Sequence, residues 1–85
     1  MHTVDLLDQA LTALRALGYR LREEWLERGT TECEIQGQPW LFIDLADSPQ
    51  ERLQAAADVL ARETATRRLE LAPPLRGLIE KRTAA

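Results

Sequence analysis

The chain has 85 residues, enough for one domain and too few for two. Hydrophobic residues at 45% and charged residues at 29% describe a globular chain and exclude a disordered one. A net charge of −3, with Lys81 the single lysine beside ten arginines, argues against a phosphate backbone as partner, because nonspecific nucleic-acid affinity comes from clustered excess cations.

The first predicted element is an amphipathic helix from Thr3 to Leu17. Val4, Leu7, Leu11 and Leu14 recur at spacings of three and four, and Ala10 and Leu17 widen the stripe. Thr3 is the expected N-cap, and Asp5 and Asp8 suit the positive end of the helix dipole. Gly18 is placed to end the helix in the left-handed conformation.

Apolar residues then alternate. Tyr19, Leu21 and Trp25 fall on one side of an extended segment and Arg20, Arg22 and Glu24 on the other, which predicts a strand with one buried face. Gly29-Thr30-Thr31 breaks it. A second strand follows, with Cys33 and Ile35 on one face and Glu32, Glu34 and Gln36 on the other. Gly37-Gln38 reads as a tight hairpin turn. Pro39 opens a third strand, Trp40-Leu41-Phe42-Ile43-Asp44-Leu45.

The next helix carries a capping box, with Ser48 as N-cap, Pro49 at the first helical position and Glu51 three residues after the cap. Leu53, Ala56, Ala57, Leu60 and Thr64 carry its pattern to about Thr66, and Asp58–Arg62 and Glu63–Arg67 are spaced as acid-before-base pairs. Pro73-Pro74 stops it, and Leu75, Leu78 and Ile79 predict a short last helix from Pro74. The expected fold is α+β in the order α-β-β-β-α. It has a small, mainly antiparallel sheet, two main helices on one of its faces, and a C-terminal segment, 67–82, that packs on the sheet or on a partner.

The third strand breaks the alternation. Leu41, Ile43 and Leu45 make one apolar face, and Trp40 and Phe42 make another. A strand apolar on both sides is normally covered on both. The helices cover one side; the C-terminal segment, a second copy of the chain, or another ligand must cover Trp40 and Phe42. Arg20 and Arg22 flank these aromatics if the register allows. Asp44 lies on the same side of the strand, with Asp47 nearby, either as a polar anchor or as an acceptor for backbone donors near the helix start.

Catalytic and metal chemistry find little to stand on. His2 is the one histidine, and no Cys or His pair has ligand spacing. Cys33 shares a face with Ile35 and is expected to be a buried, inert thiol. A lone cysteine, the absence of a secretory signal and the absence of any run of about 18 apolar residues give a cytoplasmic expectation with no membrane partner.

The element order is that of the double-stranded RNA-binding domain, but that family's basic cluster at its last helix is replaced here by Ser48-Pro49-Gln50-Glu51-Arg52. The order also resembles the front of ImmA/IrrE-like minimal zincins, in which a helix and a small sheet lead into the active-site helix. The His-Glu-x-x-His motif is missing from Pro49–Thr66, so this resemblance implies an inactive relative. A further resemblance, to short uncharacterised bacterial proteins, rests on Leu17-Gly18-Tyr19, Glu24-Trp25-Leu26, Cys33-Glu34-Ile35-x-Gly37, Trp40 to Leu45 and Ser48-Pro49. It implies no particular activity.

The leading functional reading is a non-enzymatic interaction module without cofactor or metal, which binds a second copy of itself or another protein. Trp40, Phe42, Trp25 and Asp44 are its candidate residues. The alternatives are a small-molecule or peptide binder anchored by Asp44, and a zincin-like remnant.

Overall fold

The computed structural model describes residues 2–84. The elements run α1 (Thr3–Ala16), β1 (Arg20–Glu24), β2 (Thr31–Ile35), β3 (Gln38–Asp44), α2 (Pro49–Arg62), a 3-10 turn (Thr64–Arg68) and α3 (Pro73–Ala84). The α+β class and the α-β-β-β-α order are those expected from the sequence.

Leu7, Ala10, Ala13 and Leu14 form the buried stripe of α1, while Val4 at its start is 54% exposed. His2 takes the N-cap position without a side-chain cap bond, and the Thr3 hydroxyl bonds Gln50 instead. Gly18, at φ +97°, ends the helix: its N–H donates to the Arg15 carbonyl and that of Tyr19 to the Leu14 carbonyl. The capping box of α2 forms in full, with the Glu51 amide on the Ser48 hydroxyl and the Glu51 carboxylate accepting from the Ser48 amide.

Helix α2 stops at Arg62, earlier than its pattern predicts. The Thr66 hydroxyl donates to the Leu60 carbonyl at 2.8 Å and draws the chain into the 3-10 turn. The predicted pairs within α2 do not form. Asp58 bonds Arg82 of α3 at 2.6 Å, and Glu63 is engaged by Tyr19.

The sheet is mixed rather than mainly antiparallel. Its order is β1-β3-β2, with β1 parallel and β2 antiparallel to β3. The doubly apolar β3 takes the centre, where Trp40, Leu41 and Phe42 have a strand partner on both edges. The hairpin after β2 turns at Gln36 and Gly37, φ +51° and +81°, one residue before the predicted turn. β1 therefore takes the far edge, and the six residues between β1 and β2 must cross the end of β3.

All three helices share one side. α1 packs on α2 and β1, α2 on β3, and α3 on α2 and α1. The C-terminal segment thus lies with the helices. The core joins Leu14, Leu41, Leu60 and Leu75, each fully buried.

Candidate functional site

The opposite face of the sheet carries the apolar residues that the helices leave uncovered. Register sets Arg20 beside Trp40 and Arg22 beside Phe42 on one flank, and Cys33 beside Trp40 and Thr31 beside Phe42 on the other. Since side chains alternate along a strand, Arg20, Arg22, Trp40, Phe42, Thr31, Cys33 and Ile35 all emerge on this outer face. The Trp40 and Phe42 rings stack with centroids 5.7 Å apart and planes 9° from parallel. The Arg20 guanidinium stands 5.8 Å from the Trp40 ring centroid, within cation–π range. Both aromatics stay half-exposed, and Ile35 is 44% exposed.

The second strand reverses the expected polarity. Its pairs of same-face residues are as predicted, but Cys33 and Ile35 face outward and Cys33 is exposed, not a buried thiol. Every residue of β2, an edge strand, is exposed. Glu32, opposite the buried Leu41, takes the inner side instead.

That inner glutamate belongs to a polar tie which the sequence did not reveal. The buried Tyr19 hydroxyl lies 2.7 Å from Glu32 Oε2 and 2.9 Å from Glu63 Oε1, and Arg62 pairs with Glu32 Oε1 at 2.9 Å. One hydroxyl proton is shared between two carboxylates. Burial first, then the two acceptor carboxylates and their negative charge, push the Tyr19 phenol well above its ordinary range. It is therefore protonated, and a donor, at neutral pH. The tie joins the β1 entrance, β2 and the end of α2. Tyr19→Phe is expected to cost about 1–3 kcal/mol, the worth of a hydrogen bond to a charged acceptor, as a lower urea midpoint with an unchanged slope.

Trp25 lies just beyond β1, outside the predicted strand face, and is 72% exposed. Its loop is fastened by Asp44. The Asp44 carboxylate accepts from Leu26 and Ala46 amides on Oδ1, at 3.3 and 2.9 Å, and from Arg28 and Gly29 amides on Oδ2, at 3.3 and 2.8 Å. Its own amide donates to the Thr30 hydroxyl, which donates in turn to Asp47 Oδ2 at 2.9 Å. Asp47 Oδ2 also accepts the Thr30 amide. Arg52 reaches from α2 to the carbonyls of Leu45 and Asp47. The bond from Ala46, reinforced by those from Gly29, Leu26 and Arg28, holds the Asp44 carboxyl below the usual carboxylate range against the opposing effect of burial.

Asp44 is only 1% exposed, and four backbone donors fill its acceptor positions. It fastens the crossing loop, and the geometry leaves it no face to offer a ligand. The structure thus brings Trp40 and Phe42 together with Arg20 and Arg22, presents Trp25 on a separate fastened loop, and encloses Asp44.

The described residues include no group of three or more His, Cys, Asp or Glu placed to hold a metal ion. No helix among them is long and apolar enough to cross a membrane. No family model, curated protein or solved structure matches the chain.

Proposed function

We propose that this protein is a non-enzymatic interaction module that self-associates through the outer face of its sheet. The observation that carries the reading is the stacked Trp40–Phe42 pair on a sheet whose helices all lie on the other side. A domain of this size has a thin core, so an apolar face left in water is a ready source of association energy.

The charge pattern favours a second copy as the occupant. Arg20, Arg22 and Glu24 lie along β1, whereas the outward positions of β2 and β3 from Thr31 to Phe42 are uncharged. A two-fold axis along β3 lays each aromatic stack on its mate and sets the arginine-bearing β1 over the neutral β2 of the partner. The arginines stay at the rim, Arg22 keeps its 2.6 Å pair with Glu24, and no charge enters the centre. Such sheets pack about 10 Å apart.

Amide spectra recorded over a dilution series test the surface. Concentration-dependent shifts are expected at Arg20, Arg22, Thr31, Cys33, Trp40 and Phe42, with the α3 amides unmoved. Shifts confined to the helical side would contradict the reading.

A further inference from the structure

We propose that the seam between α1 and the free edge of β1 binds an extended segment of another protein, which adds to the sheet as a fourth strand. The seam lies apart from the outer face, so this reading and self-association stand or fall separately. β1 is an edge strand that pairs with β3 and packs against α1. The Glu24 carbonyl accepts from the amide of Leu45, just past β3. Backbone groups point alternately to the two sides of a strand. Those of Arg20, Arg22 and Glu24 therefore face β3, and the N–H and C=O groups of Leu21 and Glu23 point out of the free edge. An extended peptide is the ligand whose own N–H and C=O groups meet such a row at strand spacing.

A groove of about 450 Å³ accompanies that edge. Its apolar lining includes Leu21 and Ile43 of the sheet and Val4 and Leu11 of α1. Leu11 and Leu21 are half-buried, and Val4 is 54% exposed. Leu21 and Glu23 both line the groove, so the side chains of an added strand that share their face enter it. Charge in the groove is balanced, with Asp8 and Glu23 against Arg15 and Arg52. Backbone and apolar bulk therefore choose the occupant, and charge does not. The occupant is a segment with apolar residues at alternate positions. β2, the other edge strand, is exposed at every residue, so β1 is the edge that offers an added strand apolar cover.

The probe is an acetylated, amidated seven-residue peptide of alternating threonine and valine, titrated into the isotopically labelled full chain. Antiparallel addition, the more stable pairing, sets valines opposite Leu21 and Glu23 with their N–H groups toward β1. Saturable amide shifts are expected at Val4, Leu11, Leu21 and Glu23, with slowed amide exchange at Leu21 and Glu23. Methylation of the threonine nitrogens, which face away from β1, should leave binding intact. Methylation of the valine nitrogens should weaken it about tenfold or more, because donors to the edge are lost. Val4→Lys, at an exposed position, should weaken binding with the helical signal unchanged. The proposal is overturned if no saturable shift appears, if the two methylated peptides bind equally, if Val4→Lys binds as the parent does, or if the shifts fall on Glu32 and Glu34 or on Trp40 and Phe42 instead.

Discussion

Asp44→Asn lowers the thermal midpoint by roughly 10 °C or more, although it removes no carbon from the core. An amide keeps one acceptor oxygen and replaces the other with an NH₂ group. In the native arrangement Oδ1 accepts from Leu26 and Ala46 and Oδ2 from Arg28 and Gly29. Either orientation of the amide therefore points donors at two backbone donors. The loop from Trp25 to Thr30 then loses its hold on the end of β3, and Glu27 and Gly29, both at positive φ, lose the contacts that maintain their conformation. Amide exchange at Gly29 and Ala46 should accelerate with the loss of stability. A midpoint within about 2 °C of the parent would show that the loop is held by other contacts.

The same group gives a pH dependence of definite sign. Its folded carboxyl lies below the ordinary value, so the folded state binds the proton less readily than the unfolded chain. The stabilisation is complete above the unfolded value of about 4 and is lost as pH falls through the lower, folded value. Parent and Asp44→Asn should therefore differ most near neutrality and converge in acid. Melting curves from pH 7 downwards check this, and a gap that widens on acidification would contradict it.

Phe42→Glu should weaken self-association by roughly 100-fold or more while leaving the helical signal unchanged. Phe42 is half-exposed beside Arg22 and Thr31, so a glutamate there reaches water in the free chain at little cost to folding. In a two-fold complex each copy would bring a carboxylate into the apolar centre, and desolvating the pair costs several kcal/mol. Trp40→Ala should act in the same direction by removing half of the stack. Outright unfolding of Phe42→Glu would mean that the outer face belongs to the folding core, and association at full strength would mean that another surface is used.

Local signals carried the architecture a long way. The stripe through Leu7, Ala10 and Leu14, the glycine at 18 and the Ser48-Pro49-Glu51 box depend on neighbours within one or two turns, and these elements formed as their patterns require. The double apolarity of the third strand pointed to an uncovered face bearing Trp40 and Phe42, and the register with Arg20 and Arg22 follows from the pairing.

What the pattern could not give was long-range. Alternation says which residues of a strand share a face but not which face is buried, so the apolar pair Cys33 and Ile35 suggests a buried thiol where β2 turns both outward. Parallel pairing of β1 depends on β3 taking the middle of the sheet. The two roles open to Asp44 could be separated only once Leu26, Arg28 and Gly29 were seen to crowd it. The Tyr19–Glu32–Glu63 tie joins residues distant in the chain, and nothing local marks it. Helix α2 ended early for a similar reason, because the decisive Thr66 hydroxyl lies beyond the helix it terminates.

Mass in solution tests the central claim most directly. Light scattering on a size-exclusion column, repeated over a wide concentration range, should give a value that rises toward twice the chain mass of 9.6 kDa, and Phe42→Glu should remain at the single-chain value throughout. A parent protein that stays at the single-chain mass at every concentration would contradict self-association through the sheet.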